Sequence, residues 1–291
     1  MAILYGWSKD LYDPKDYIHK IKVVPRPRKG SNADLLKYRR YQGVVGSCVG
    51  QGVGTAADSV KTLLGILTEM ASATWIYNGA RFMEGTLPID CGTHPRTALE
   101  WLLAHGILLE HFWPYDPTKL DTTAPSTERM KQADRYKGFA YFRCGDGVDG
   151  IADALASRKM VAIGNPWFKE WEPSPPCGRL PKPTINSFVV GGHETDIYGW
   201  DDDEGVFFGT NSWKDWGDIN GRYIMPYESI DIFKIRGGYD AHYLTFTADI
   251  DNTPLPEPNP SPCPWGNGIA KALNKLFLLG ERGRQGRFYY R

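Results

Sequence analysis

The sequence has no apolar run that approaches the roughly 18 residues needed to span a bilayer as a helix. It has no charge of its own either, with 34 Lys and Arg against 34 Asp and Glu. Without a basic excess, nothing draws the chain to nucleic acid or to an anionic membrane surface, and neither partner is expected. Cysteine is scarce, with five residues at 48, 91, 144, 177 and 263. The number is odd, and 291 residues can bury a full core without staples, so a reduced protein with no disulfide framework is expected. The opening "MAILYGWSKD" lacks a basic stretch followed by an apolar one. No secretory signal is read there, and a cytoplasmic location is expected. Cys91, His94, His105 and His111 cluster in sequence without a zinc spacing. "GVGTAA" (52–57) mimics a dinucleotide fingerprint, but no strand precedes it and the acid expected about 20 residues later is missing. No metal and no cofactor are expected.

What is present is a mixed pattern. Residues 1–40 alternate charged and aromatic residues with proline and read as an irregular wrap over the surface. From Cys48 to Met70, Val49, Val53, Ala56, Ala57, Val60, Leu63, Leu64 and Leu67 recur at helical spacing. Gly50, Gly52 and Gly54 each weaken that helix by about 1 kcal/mol, so tertiary contacts must hold it. Helices are also expected over 72–84 and 95–105, the second stopped by Gly106. The second half turns to strands: "SFVVGGHETDIYGW", "GVFFGTNSW" and "GRYIMPYESI", with Gly, Asp and Asn between them. A Pro-rich linker and a basic tail fill 251–291, and the tail reads either as a solvated or disordered end or as a segment that docks on a partner or a second copy.

The chemistry centres on "YQGVVGSCVGQG" (41–52). A cysteine opening a helix sits over unpaired N–H groups and the positive dipole end, which favour a thiolate. A hairpin folded about Asp202 would set His193 opposite Asn211, within reach of a hydrogen bond that orients a catalytic base. Gly191 and Gly192 strip side chains from the approach to His193. The Cys48 backbone N–H and the Gln42 side chain supply two donors for an oxyanion, and the glycines around Cys48 are read as admitting a substrate. Rapid alkylation of Cys48 near neutral pH is the corresponding expectation.

In the order "QGVVGSC", "GGH" and "NSWKDWGDINGRYIMPYE", the chain resembles the papain-like cysteine peptidases. "YNGARFMEG", "DCGTHPRTALEWLLAHGILLEHFWPYD" and "YGWSKDLYDPKDY" resemble their prokaryotic and viral branch, and a virus- or phage-encoded protein is expected. The resemblance implies an α+β papain-like fold over 1–250, with a mainly helical lobe (41–140), a mainly β, barrel-like lobe (141–250) and an active-site cleft between them. It implies Cys48 as nucleophile, His193 as general base, Asn211 as its orienter and Gln42 in the oxyanion hole. Gly191, Gly192, Glu194 and Trp213 would line the substrate site, with Trp213 also shielding the Asn211–His193 bond. The implied substrate is a polypeptide. An inert binding module of the same fold, or an amide hydrolase acting on cell-wall peptide, is the competing reading. Val49, Glu194 and Lys214 depart from the family pattern along the cleft wall. Glu194 either meets a basic substrate side chain, pairs with a cation of the protein itself, or points into the β lobe away from the cleft. Residues 1–40 are too short for the family's inhibitory helical segment.

Overall fold

The computed structural model describes residues 5–14, 16–19, 25–66, 69–218 and 221–247. The linker and tail expected over 251–291 lie outside the described residues, as does Cys263. A short strand, β1 (Lys29–Ser31), is the first regular element. Helix α1 (Cys48–Leu63) follows, with Val49, Val53, Ala56, Ala57 and Val60 buried. It stops short of Met70 because Gly65 turns left-handed (φ +70°), a backbone state that glycine takes without a Cβ clash. Helix α2 (Ala73–Met83) is capped by Ser72, whose hydroxyl accepts from the Trp75 N–H. Helix α3 (Pro95–His105) begins at a proline and ends at Gly106, as the sequence indicated. The three helices share one core that includes Val53, Trp75, Ile76, Leu99, Trp101 and Leu102.

Beyond α4 (Thr127–Ala133) the chain builds its sheet. The elements run β2 (Phe139–Arg143), α5 (Gly147–Ala156), β3 (Val161–Phe168), β4 (Val189–Asp201), β5 (Val206–Thr210), β6 (Arg222–Pro226), α6 (Glu228–Ile235) and β7 (Asp240–Phe246). The order across the sheet is β2-β7-β3-β4-β5-β6, every ladder is antiparallel, and β1 pairs with β4. A second core gathers Ile163, Trp167, Phe168 and Phe207 with Leu155 of α5 and Phe233 of α6. The fold is therefore α+β with two cores, one helical and one mainly β. Inside the β half, "SRKMVAIGNPW" is read in the sequence as a helix end followed by a short buried strand, which α5 and β3 match, whereas helix α6 was not read. Helix α1 packs across β3, β4 and β7, which carries its first residue, Cys48, to the sheet.

The β4–β5 hairpin differs from the expected one. It turns over 202–205, and its ladder runs Asp196↔Thr210, Ile197↔Gly209, then Gly199↔Phe208 and Asp201↔Val206, with a bulge at Tyr198. Continued past Thr210, that register sets Trp213, not Asn211, opposite His193. The expected centre at Asp202 ignored the bulge and placed the turn too early.

Candidate active site

His193 and Asn211 are thus diagonal neighbours, a separation that longer side chains still bridge. His193 Nε2 and Asn211 Oδ1 lie 2.8 Å apart in a buried contact. Trp213, opposite by register, stacks on the imidazole with ring centroids 4.5 Å apart. Trp167 meets it edge-on at 4.9 Å, and Tyr5 comes from a third side at 6.5 Å. The expected shielding role of Trp213 fits this geometry, whereas its expected place on the substrate wall does not, because it lies against the imidazole and is buried. His193 Nδ1 has no hydrogen-bond partner among the described residues. Burial disfavours the imidazolium and takes the His193 pKa down to about 4, against the opposing pull of the Asn211 bond.

Cys48 is the first residue of α1, so its N–H has no partner within the helix. Its thiol is 0% exposed. Burial first, and then the nearby Glu194 carboxyl, push its pKa up to about 12, although backbone groups of Glu194, Gly6 and Val49 hydrogen-bond to it and pull the other way. Those contacts place the sulfur beside the residue that follows His193. The expectation of a readily ionised, accessible thiol is corrected for this closed form: dipole and backbone donors act, but desolvation wins. Gln42 is buried and fixed on both sides, Nε2 donating to Val45 O at 3.0 Å and Oε1 accepting from Ser212 Oγ at 2.8 Å. Tyr115 ties the turn together, its hydroxyl bonding to Gln42 O and Ser47 Oγ, each at 2.6 Å.

The glycines around Cys48 are used differently from the expectation. A Cβ at Gly50 would meet Tyr77, one at Gly52 the Glu194 carboxyl, and one at Gly54 the Arg40 guanidinium. They admit neighbouring protein side chains, not a substrate. Gly46 does receive a peptide, but it belongs to the chain itself: a Cβ at Gly6 would stand 1.7 Å from the Gly46 carbonyl oxygen.

Residues 5–8, expected to wrap the surface, run between the two halves of the molecule. Trp7 N–H donates to Gly192 O (3.1 Å), Thr93 N–H to Gly6 O (2.9 Å) and Ser8 N–H to Thr93 O (3.1 Å). A Cβ on Gly191 would meet the Tyr5 ring at 2.3 Å, and one on Gly192 the Trp7 ring at 2.5 Å. The two glycines before His193, expected to line a substrate, lie against an extended stretch of the chain itself. Glu194 is 1% exposed, and neither of its carboxyl oxygens has a hydrogen-bond partner among the described residues. Tyr5, Trp7, Tyr115, Ser212 and Asp240 were missed in the sequence. A usable signal was the aromatic–Gly–aromatic run "YGW", whose alternation suits an extended segment between two walls.

No family model matches the chain. Over 221 residues it is 28% identical to an uncharacterised peptidase C1-like protein of Acanthamoeba polyphaga mimivirus, covering 72% of this chain and 68% of that one. Among solved structures it is similar to xylellain, a cysteine protease from Xylella fastidiosa, with 26% identity, a TM-score of 0.75, and 84% of this chain and 96% of that one covered. A digestive procathepsin L 3 of Tenebrio molitor larval midgut aligns with a TM-score of 0.63 at 18% identity, over 79% of this chain and 74% of that one. A procathepsin B from Trypanosoma congolense aligns with a TM-score of 0.66 at 14% identity, over 84% and 86%. At those lower identities, the last two speak for the fold alone.

Proposed function

We propose that this chain, a cysteine-type peptidase of the papain-like kind, cuts peptide bonds with Cys48, His193, Asn211 and Gln42. The observation that carries the reading is the state of His193. Its Nε2 is held by Asn211 beneath Trp213, its Nδ1 has no partner among the described residues, and the next residue's backbone touches the Cys48 thiol. A base fixed at one nitrogen and available at the other, beside a sulfur at a helix N-terminus, is what nucleophilic acyl transfer requires. His193 Nδ1 takes the Sγ proton and the thiolate adds to the peptide carbonyl. The resulting oxyanion receives hydrogen bonds from the Cys48 N–H and the Gln42 side-chain amide, and losing one such donor costs about 10²–10³ in rate. Collapse expels the amine, protonated by His193. A water that His193 deprotonates then frees the carboxylic acid from the thioester.

Residues 5–8 lie where a substrate peptide would meet these groups, so the described form is a closed one. In it the Cys48 pKa of about 12 and the His193 pKa of about 4 both favour the neutral partners. Withdrawal of the segment admits water to both groups, removing the largest cause of both shifts. The test is to incubate the full chain with a peptidyl epoxide and to map the adduct by mass spectrometry. The adduct should form on Cys48 and be lost in His193→Ala. Labelling confined to the exposed Cys91 and Cys177, or equal labelling of Cys48 in both chains, overturns the reading.

A further inference from the structure

The two donors assigned to the oxyanion stand at opposite ends of one turn. Gln42 opens it and Ser47 closes it, and the Cys48 N–H belongs to the peptide that Ser47 begins. A backbone bond spans part of the turn, Val45 N–H to Gln42 O, and at 3.4 Å it is long. Ser47 takes the N-cap position of α1 without capping it, so its hydroxyl is left for another partner. That partner is Tyr115, whose hydroxyl lies 2.6 Å from Ser47 Oγ and 2.6 Å from Gln42 O. The sense of these bonds follows from the groups. A carbonyl oxygen only accepts, so the phenol proton goes to Gln42 O and the phenol oxygen accepts from the Ser47 hydroxyl. Gln51 Nε2 donates in turn to Ser47 Oγ, at 3.5 Å. The result is a buried relay running Gln51, Ser47, Tyr115, Gln42, each bond polarising the next. Burial pushes the Tyr115 pKa up, which keeps its proton in place to donate.

The tyrosine is itself pinned. Its N–H donates to Glu110 Oε1 at 2.6 Å, and Pro117 O accepts from the Val44 N–H at 2.9 Å. Gly43 has φ +65°, and a Cβ there would stand 1.8 Å from Pro117 O, so the loop 115–117 lies directly on the turn. We infer that Tyr115 is a positioning residue of the oxyanion hole, its hydroxyl setting the spacing between the Gln42 side chain and the Cys48 N–H. The inference rests on the hydrolytic reading above and adds a residue to it. Without the bridge, the Gln42 carbonyl and the Ser47 hydroxyl each lose a buried partner, and the turn relaxes at both ends. A misplacement of about 1 Å at a catalytic group can cost about 10²-fold in rate. The loss falls on the transition state, because the oxyanion exists only there.

Tyr115→Phe keeps the ring and removes one oxygen. In the full chain, kcat on a peptide amide should fall about 10- to 100-fold, with KM within about twofold of the parent. Alkylation of Cys48 by iodoacetamide displaces iodide and forms no oxyanion, so its rate at the same pH should hold or rise. A tyrosine that only held the fold together would move both rates in the same direction. Ser47→Ala breaks the same relay one bond earlier and should lower kcat less, again without slowing alkylation. The double variant should lose no more than Tyr115→Phe does, within about twofold, because both changes cut one network. If Tyr115→Phe melts below the assay temperature, Ser47→Ala alone decides by the same two rates. A kcat within about twofold of the parent in the folded variants, or alkylation that slows in step with kcat, overturns the inference and leaves the hydrolytic reading standing. A parent chain with neither turnover nor epoxide labelling of Cys48 overturns both.

Discussion

Strand β4 presents two faces to two different environments, and they differ in how completely they are satisfied. On one face, Gly191, His193 and Thr195 meet partners that fit them: Tyr5 packs over Gly191, Asn211 bonds to His193, and Thr195 Oγ1 lies 2.7 Å from the Tyr223 hydroxyl. Around the imidazole stand Trp167 and Trp213, themselves 5.2 Å apart, with Trp216 behind. On the other face, Gly192, Glu194 and Asp196 look toward α1 and the segment 5–8, and the acids lack partners on Glu194 Oε1, Glu194 Oε2 and Asp196 Oδ1 among the described residues. Burial pushes both of their carboxyls well above the usual range, with neighbouring carboxylates adding to it. A buried polar group left unbonded costs stability, and folds retain such groups where another requirement holds them. One face is finished, with Tyr5 of the segment 5–8 and side chains of the sheet half as its partners, while the acids of the other are buried without hydrogen bonds on those oxygens among the described residues.

The comparison breaks first at His193. Replacing it by alanine removes the base from the finished face, and kcat should fall about 10²–10⁴-fold, the usual contribution of general acid–base catalysis. A melting curve should show the variant folded, and a rate within a few-fold of the parent would refute its role. The next largest effect belongs to the unfinished face. Trp7→Ala deletes the Asp240 hydrogen bond and much of the indole's contact with Gly164 and Gly192. About 2 kcal/mol of closure lost in this way corresponds to roughly 30-fold faster labelling of Cys48 at pH 7. Labelling as slow as in the parent would mean that the thiol is sealed by something other than this segment. Asn211→Ala is smaller again. It removes one hydrogen bond that orients His193 but leaves Trp213 and Trp167 around the ring, so about a tenfold loss in kcat is expected, with activity still measurable. A loss as large as that of His193→Ala would show that the aromatic cage alone does not hold the imidazole.

Much of the finished face was legible in the sequence because it rests on short-range patterns. Helical spacing after Cys48, the Gly106 stop of α3, the strands around "GGH" and the ordered Gln, Cys, His and Asn residues all lie within local windows. The diagonal of His193 and Asn211 was not, because the turn lies at 202–205, later than the expected centre at Asp202, and the bulge at Tyr198 recovers only one residue of that shift. The unfinished face was hidden for another reason. It assembles Trp7, Gly164, Glu194 and Asp240 from four distant stretches, and nothing in any one of them announces the others. The glycines of α1 were misread similarly, since Gly52 is small because of Glu194, which is far away in the chain. Helix α6 is only eight residues long and sits among strand signals, whereas the end of α5 was legible before the buried run of β3.

The smallest effect, and the one that isolates the unfinished face from catalysis, is the pH dependence of stability in Glu194→Gln. Glu194 is held above its ordinary value of 4.5, by burial first and then by Asp196, Asp10 and Asp240. Below pH 4.5 both the folded and the unfolded chain keep its proton, and its ionisation costs the fold nothing. As the pH rises, the unfolded chain gains by ionising while the folded chain does not until its raised pKa is passed. Stability present in acid is therefore lost progressively from about pH 4.5 up to the raised pKa of the folded chain. Glutamine at 194 cannot ionise, so the variant should match the parent in Tm near pH 4 and exceed it at pH 7–8. A difference of about 1 kcal/mol would read as roughly 2–4 °C in a domain of this size. Asp10, raised to about 7, titrates in the same direction in both chains and loses one repulsive neighbour in the variant, which widens the gap rather than closing it. A Tm difference that stays flat across this range would mean that Glu194 has a cation beside it in solution, and the acid face would then be as finished as the other.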